Sequence, residues 1–384
     1  MANNTARLGD LATYVNGYAF KPSDWGDTGL PIIRIQDLTG NSYQLNRYEG
    51  DYPARIEVND GDVLISWSAS LGVYVWQRGK ALLNQHIFKV VFDKLPINKD
   101  YFVFAVEHKL AEMEAKTHGA TMKHIVKKDF DSTIIPYPTV DKQTEIAERL
   151  RRITVLIEKQ QEQLILLDQL VKSRFIELFG TYPENQYGWN TATIRDIVSD
   201  VRYGSSRPAV EGGAYPYLRM NNITYGGELD LADVKRIDVP ESELPKCTVR
   251  RGDVLFNRTN SRELVGKTCV YDRDEAMVLA GFVIRVRVND SVLPEFLSAF
   301  LNTDFSKKML FGMCKAAIGQ ANINAQEMQN IGIYVPPIEM QRQFVVFKQQ
   351  TDKSKYYSSQ SYRYCRQAAR NYRQEWMTCR TSNS

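Results

Sequence analysis

Loops rich in arginine, asparagine, serine and threonine are the segments of this 384-residue sequence whose side chains could do chemistry, and that chemistry is binding. One such loop covers 202–207 around a glycine, and another covers 257–262 directly after a predicted strand. Arginine and asparagine pair bidentately with guanine and adenine edges, whereas serine, threonine, lysine and backbone amides suit phosphates. These loops therefore favour contact with a nucleic acid, although loops that only face solvent have a similar composition.

Loops of similar polarity occupy matching places in the two halves of the chain. Segment 66–70 follows a predicted strand in the first half as 257–262 does in the second, and 117–124 corresponds to 315–322. From these loops, the 202–207 loop and one arginine of a repeated motif, we predict DNA contacts at Ser66, Ser68, Ser70, His118, Thr121, Lys123, Arg202, Ser205, Arg207, Arg219, Asn257, Arg258, Asn260, Lys315, Gln320 and Asn322.

Sequence patterns that would support catalysis or a cofactor are absent. No Gly-x-Gly-x-x-Gly follows a strand, no His-Glu-x-x-His occurs, and the four histidines have no metal-ligand spacing. Segment 261–268 is similar to a phosphate-binding loop but has Ser261 where the first glycine belongs. No Asn/Asp-Pro-Pro-Tyr/Phe motif is present to hold a target base for methylation. We therefore expect a binding protein with no catalytic residue, no metal site and no cofactor of its own.

A duplication is the most informative feature of the sequence. Three motifs of the first half recur in the same order in the second: 8–11 at 194–197, 31–35 at 216–220 and 61–65 at 252–256. Gly17 likewise returns as Gly204, and a Tyr-Pro followed by Gln143 returns as a Val-Pro followed by Gln341. The spacing is far too long for a solenoid repeat of some 20–50 residues. The chain is therefore predicted to contain two similar domains.

Each half is predicted to be an α+β domain with a largely antiparallel sheet. Short runs of β-branched residues bounded by Gly, Asp and Pro predict strands at 31–35, 62–66, 215–220 and 253–257. Alternation of apolar residues predicts a further strand over 278–288. Helices are predicted over 99–116 in the first half and 294–315 in the second.

Between the halves the apolar residues follow a helical period. Steps of three and four predict one long coiled-coil-like helix over 141–179, with Asp141 as its N-cap and Gly180 and Pro183 ending it. The apolar stripe consists of Ile146, Leu150, Ile153, Ile157, Leu164, Leu167 and Val171. A length of about 58 Å at 1.5 Å per residue favours a spacer that docks partners over an ordinary amphipathic helix packed on one domain.

Composition excludes wholesale disorder, a membrane span and a disulfide framework. The hydrophobic share of 43% and charged share of 24% are ordinary for a globular chain, and no apolar run approaches the roughly 18 residues of a span. The first residues do not form a signal peptide, and the five cysteines have no CxxC spacing, which fits a reducing cytoplasm. The net charge of +4 arises in 348–384, with eight basic and two acidic residues, so polyanion binding elsewhere requires a local patch.

The order of these motifs resembles the specificity subunit of Type I restriction-modification systems. The resemblance covers about 1–347 and depends on the doubled motif set around one central helix. It implies a first target-recognition domain at 1–140, a helical spacer at 141–180, a second target-recognition domain at 181–337 and a C-terminal conserved helix at 338–384.

The resemblance implies a non-catalytic DNA-reading subunit of a larger complex. Each domain would read one half of a bipartite double-stranded DNA target, and the helices would set the unread gap and dock two methyltransferase subunits. ATP-dependent restriction subunits could join, and S-adenosylmethionine, ATP and Mg would belong to these partners. Two alternatives stay open: the specificity subunit of another restriction-modification type, and a two-domain protein-binding adaptor.

The C-terminal segment departs from the family pattern. Residues 348–384 contain six aromatic residues but no leucine, isoleucine or valine, where an apolar-striped helix is expected. We expect this basic and aromatic tail to replace the usual helix after a frameshift or recombination, which would put the docking of one methyltransferase subunit in doubt. The alternative is a basic helix that still packs through tyrosine and tryptophan.

Overall fold

The computed structural model describes residues 5–40, 45–116, 125–314 and 320–378. The chain divides into two compact units, 1–159 with 361–384 (the first unit) and 160–360 (the second unit). Each unit combines helices with sheets whose strands pair mainly antiparallel, which confirms the predicted α+β class. None of the helices in these described ranges is long and apolar enough to cross a membrane.

The described part of the first unit has two four-stranded sheets and one pair of strands. In sheet order, the first sheet contains Thr13–Asn16, Ile87–Val91, Val63–Ser66 and Gly72–Val75, and the second contains Arg47–Tyr48, Leu30–Ile33, Ala81–Leu83 and Glu57–Val58, while Thr5–Arg7 pairs with Ile134–Pro136. The helices are Leu8–Leu11, Ile35–Leu38, Lys99–Lys116 and Lys127–Ser132, with 3₁₀ turns at Pro22–Asp24 and Ala54–Ile56. The Lys99–Lys116 helix has the bounds predicted from the sequence.

The second unit repeats this architecture. In sheet order, the first sheet contains Val198–Tyr203, Val283–Val288, Val254–Asn257 and Thr268–Val270, the second contains Lys235–Ile237, Tyr215–Leu218, Met277–Leu279 and Thr248–Val249, and two further pairs are Asn190–Thr193 with Gly332–Val335 and Thr259–Asn260 with Ala321–Asn322. The shorter helices are Leu244–Cys247, Pro294–Leu301, Asp304–Met313 and Ala325–Gln329, with 3₁₀ turns at Ile194–Ile197 and Met220–Asn222. The matching strand order in the two units confirms the duplication.

Two repeated glycines show what the sequence motifs preserve. A Cβ atom at Gly17 would lie 2.0 Å from the carbonyl oxygen of Asn84, and one at Gly204 would lie 2.2 Å from that of Leu279. No side chain fits between backbones this close. Each glycine therefore allows the end of a strand in one sheet to lie against the end of a strand in the other sheet, at the same place in each unit.

Each unit has its own apolar core. In the first unit the largest cluster is centred on Phe88, Tyr101, Phe102 and Phe130. In the second unit it is centred on the aromatic residues Phe175, Phe179, Phe256, Phe296, Phe300, Tyr334 and Phe344. The ends of the long helices contribute to both clusters, so each unit buries part of these helices along with its sheets.

The central helix is continuous over Val140–Phe179, within one residue of the prediction. Because the helix begins before Asp141, that residue lies inside its first turn and is not the predicted N-cap. Gly180 has a positive φ of 81° and donates its backbone N–H to the carbonyl oxygen of Ile176 at 2.8 Å. Glycine ends the helix here because it adopts this left-handed conformation without strain.

A second long helix covers Ile338–Thr378, so the expectation that the C-terminal tail replaces this helix is wrong. The segment lacks proline and glycine, the two residues that disfavour helix most. Trp376 is 7% exposed, and its ring centroid lies 4.9 Å from that of Tyr101. The guanidinium of Arg149 lies 4.2 Å above the ring of Tyr372. Large aromatic side chains thus take the packing role that leucine and isoleucine were expected to fill.

Within the second unit the two long helices run antiparallel. Phe175 of the central helix contacts Phe344 at a ring-centroid distance of 5.3 Å. Asp168, earlier in the central helix, pairs with Lys355, later in the C-terminal helix, at 2.5 Å. Lys355 also pairs with Glu228, so one half-buried ammonium group joins both helices to the loop that carries Glu228.

Two predicted elements are divided in the structure. The predicted strand 278–288 is two strands, because Ala280, Gly281 and Phe282 form a turn whose Gly281 N–H donates to the carbonyl oxygen of Ser205 at 2.7 Å. The predicted helix 294–315 breaks at Asn302, and the Thr303 side chain caps the helix that follows. Apolar periodicity alone does not reveal such breaks, since apolar residues lie on both sides of each.

Candidate nucleic-acid interface

At one edge of the first sheet of the second unit, the strands Val198–Tyr203 and Val254–Asn257 end and the strand between them, Val283–Val288, begins. Tyr203 is the last residue of its strand and lies opposite Ile284. Asn257 is the last residue of another strand and lies opposite Val283. Tyr203, Arg258 and the turn at Phe282 therefore come together at this edge, although they are far apart in the sequence.

Arg258 is the cation at the centre of this edge. Its guanidinium lies 4.8 Å above the ring of Tyr203. Within the described ranges, no carboxylate pairs with Arg258, and its buried Nε atom has no hydrogen-bond partner. A guanidinium held in place by an aromatic ring but lacking a carboxylate retains its charge and donors for an external ligand.

A two-stranded sheet places polar groups next to Arg258. Thr259 donates its hydroxyl hydrogen to the Oδ1 atom of Asn322 at 2.9 Å, across the pairing of Thr259–Asn260 with Ala321–Asn322. Asn322 and Gln320 are exposed. We define the Arg258 cluster as Tyr203, Arg258, Thr259, Gln320 and Asn322. It combines a cation, two hydroxyls and two amides, and arginine, threonine and side-chain amides are groups that read base edges in a DNA groove.

Asn257 and Asn260, both predicted DNA contacts, face each other inside this loop. Asn257 is completely buried, and its Oδ1 accepts a hydrogen bond from Asn260 Nδ2 at 3.1 Å. Asn257 Nδ2 also donates to the carbonyl oxygen of Thr259 at 3.1 Å. These asparagines hold the loop that presents Arg258, so their contribution to binding would be indirect.

The other predicted arginines pair with carboxylates on the surface. Arg202 lies 2.9 Å from Asp200, Arg207 lies 2.6 Å from Glu243, and Arg219 lies 2.8 Å from Asp233. The hydrogen bonds from Arg207 lower the pKa of Glu243 below its usual value. Ser205 is buried and accepts a hydrogen bond from the backbone N–H of Arg207 at 3.2 Å, which shapes the loop. These arginines lie outside the Arg258 cluster.

Trp67 occupies in the first unit the position that Arg258 has in the second. Its N–H donates to the carbonyl oxygen of His86 at 3.3 Å, as the Arg258 N–H donates to that of Phe282 at 3.0 Å. The Trp67 carbonyl accepts from Ile125, as the Arg258 carbonyl accepts from Ile323. The rings of Trp67 and His86 lie 5.0 Å apart. Sequence reasoning missed His86, because it meets Trp67 only through this pairing of segments that are distant in sequence.

The predicted serines of the first unit lie on both sides of Trp67. Ser66 is the last residue of the strand before it, and Ser68 and Ser70 lie in the loop after it. Ser66 is buried and donates its hydroxyl hydrogen to the carbonyl oxygen of Ser70. Ser68 is partly exposed and Ser70 is exposed. His118, Thr121, Lys123 and Lys315 lie outside the described residues. No group of three His, Cys, Asp or Glu side chains that could hold a metal ion occurs in the ranges that the structure describes.

The predicted apolar stripe of the central helix faces the chain's own cores at its ends. Ile146 and Leu150 are buried in the core of the first unit, and Val171 packs against that of the second. The members between them, Ile153, Ile157, Leu164 and Leu167, are half-buried. A different set of large apolar residues on this helix is exposed, namely Val155, Leu156, Ile165, Leu166 and Leu170.

Comparison with known proteins agrees with this architecture. Residues 3–167 and 187–356 match the family model described as the Type I restriction modification DNA specificity domain. The chain is 24% identical over 374 residues to the Type I restriction enzyme EcoBI specificity subunit of Escherichia coli, covering 88% of this chain and 77% of that protein. It is 24% identical over 243 residues to the EcoKI specificity subunit of Escherichia coli (strain K12), covering 59% and 52%.

Solved structures show the same fold. The Type I restriction-modification S subunit from M. genitalium aligns with a TM-score of 0.57 at 13% identity, over 98% of this chain and 96% of that one. A chain from a structural study of assembly and conformational transition of the Type I system aligns with a TM-score of 0.58 at 16% identity, over 98% of both chains. The chain therefore belongs to the Type I restriction-modification DNA specificity family, as a non-catalytic specificity subunit with two target-recognition domains.

Proposed function

We propose that the chain reads a bipartite double-stranded DNA target, with one half-site for each recognition domain. The observation that carries this proposal is the Arg258 cluster, where a guanidinium without a carboxylate partner in the described ranges lies beside hydroxyl and amide groups. An arginine in a DNA groove pairs bidentately with guanine, and asparagine and glutamine pair with adenine. The cluster thus offers what direct reading of base edges requires.

The two domains present different side chains at equivalent backbone positions. Trp67 and His86 in the first unit stand where Arg258 and Phe282 stand in the second. Because these side chains differ in charge and shape, the same fold would read two different half-sites. We therefore expect a target whose two halves are unrelated in sequence.

Phosphate contacts would come from the surface arginines and the serines. Arg202, Arg207 and Arg219 lie beside carboxylates, which repel DNA. Binding would therefore be favourable only where phosphates come within bonding distance of these arginines. Ser68 and Ser70 would act in the same way in the first domain. His118, Thr121, Lys123 and Lys315 remain predicted contacts.

Partner subunits would dock on the long helices. The exposed apolar residues Val155, Leu156, Ile165, Leu166 and Leu170 offer apolar surface of the kind found in the cores of protein interfaces. Two methyltransferase subunits would bind there, and ATP-dependent restriction subunits could join them in the cytoplasm. S-adenosylmethionine, and ATP with Mg, would be used by those subunits. Lengthening the central helix by four residues after Gln160 would add about 6 Å and lengthen the unread gap of the target by a base pair or two.

Methylation-sensitive sequencing of host DNA, with and without this protein, would identify the target. Binding of the assembled complex to that target should then fall steeply with salt, because phosphate neutralisation releases counterions. Arg258→Ala should weaken specific binding by about 1–3 kcal/mol and relax preference at one base pair. Arg251→Ala is a matched control, because Arg251 precedes the strand Val254–Asn257 and Arg258 follows it. Arg251 pairs with Asp274. Salt-insensitive or absent DNA binding would favour a protein-binding adaptor instead.

A further inference from the structure

Phe282 is an exposed aromatic residue at the edge that carries the Arg258 cluster. Its side chain is 55% exposed, whereas phenylalanine is usually buried in folded domains. It lies in the turn between the strands Met277–Leu279 and Val283–Val288. Phe282 is not among the DNA contacts predicted from the sequence.

Hydrogen bonds fix the backbone of this turn from several sides. The carbonyl oxygen of Phe282 accepts from the N–H of Arg258 at 3.0 Å and from Asn257 Nδ2 at 3.3 Å. The neighbouring Gly281 donates its N–H to the carbonyl oxygen of Ser205 at 2.7 Å. Because the backbone is held in this way, the phenyl ring is presented with few degrees of freedom to lose on binding.

The polar residues at the same edge indicate what the ring would meet. Arg258, Gln320 and Asn322 carry the donors and acceptors that pair with base edges in the major groove. The apolar group on those edges is the 5-methyl group of thymine, and phenylalanine is one of the side chains that contacts it. We propose that Phe282 packs against the 5-methyl group of a thymine in the half-site read by the second domain. This inference rests on the proposed function of the Arg258 cluster.

The first domain provides an internal comparison. The residue at the equivalent turn is His86, which is exposed and has a positive φ of 70°. An imidazole offers a hydrogen-bonding group in place of a purely apolar ring. Dependence on a thymine methyl group through Phe282 is therefore confined to one half-site of the target.

The test measures binding of the assembled complex to target duplexes in which each thymine is replaced, one at a time, by deoxyuridine. Loss of one buried methyl group should weaken wild-type binding about fourfold at one position of the half-site read by the second domain. The variant Phe282→Ala should bind the unmodified target more weakly and lose this sensitivity, whereas Phe282→Leu should retain part of it. Asn322→Ala, from the same edge, should bind more weakly yet keep the deoxyuridine effect.

Three results would overturn the inference while leaving the proposed function intact. They are a half-site that contains no thymine, a wild-type complex that tolerates deoxyuridine at every position, and a Phe282→Ala complex with the same deoxyuridine sensitivity as wild type. In all three the wild-type complex still binds its target with steep salt dependence. A wild-type complex that does not bind DNA would instead overturn both proposals.

Discussion

The side chain of Gln341 holds the start of the C-terminal helix to the backbone of Leu293. Its Oε1 atom accepts the Leu293 N–H at 2.8 Å, while Nε2 donates to the carbonyl oxygens of Pro336 and Ser291 at 2.8 and 3.1 Å. Gln143 makes the equivalent bonds in the first unit, to the Asn98 N–H and the Pro138 carbonyl. Both glutamines are completely buried. The repeated glutamine therefore joins a long helix to its recognition domain in each unit.

Replacing Gln341 with leucine should destabilise the second unit. Leucine has a similar volume but leaves the Leu293 N–H without its acceptor, and a buried unsatisfied donor costs about 1–3 kcal/mol. We expect a lower free energy of unfolding by this amount in urea titration. Gln343→Leu, on an exposed position of the same helix, is the control. Equal stabilities for the two variants would show that the glutamine bonds contribute nothing.

The doubled motifs predicted the duplication and central helix because they contain residues with local constraints. Gly17 and Gly204 are required by close backbone approach, and the central stripe has an unambiguous helical period. The C-terminal helix was mispredicted because its packing depends on Trp376 and Tyr372, which meet partners distant in sequence. A pattern of leucine and isoleucine is sufficient for such a helix but not necessary.

Replacing Trp376 with alanine should destabilise the first unit strongly. The ring is buried against Tyr101, and truncation of a buried tryptophan costs about 3–5 kcal/mol. Thermal unfolding of the full chain should show a lower transition temperature for the first unit, with Trp376→Phe intermediate. Tyr364→Ala is the control, since Tyr364 is 76% exposed on the same helix. An unchanged transition for Trp376→Ala would mean that the C-terminal tail is dispensable.

Replacing Arg207 with alanine should reduce DNA affinity without changing sequence preference. Arg207 is exposed and pairs with Glu243, and we expect its guanidinium to exchange this carboxylate for a DNA phosphate on binding. Affinity for the target and for unrelated DNA should fall by a similar factor, and the slope of log K against log salt should decrease by about 1. Arg258→Ala provides the comparison, because it should change preference at a base pair. A loss restricted to the target would assign Arg207 to base reading.

The candidate site was predicted only in part from sequence. The loop after each matching strand was found because arginine, asparagine and serine are concentrated there. Burial was not predictable for Ser66 and Asn257, since a polar residue at a strand end can face either way until its partners are known. Phe282 and His86 were missed because each lies in a turn that meets Arg258 or Trp67 only through a backbone hydrogen bond between segments distant in sequence.

Lys307 should make the stability of the second unit depend on pH. Burial, together with the charges of Lys172 and Lys267, lowers the pKa of Lys307 to about 8 in the folded protein. Between pH 8 and 10.5 the unfolded chain then binds more protons than the folded one, so stability rises with pH. Lys307→Met should be more stable than wild type at pH 7, by up to ~3 kcal/mol, and this advantage should shrink towards pH 10 in urea titrations. Lys308→Met, at the exposed neighbouring position, should show no such trend. A difference in stability that stays constant with pH would show that folding does not lower the pKa of Lys307.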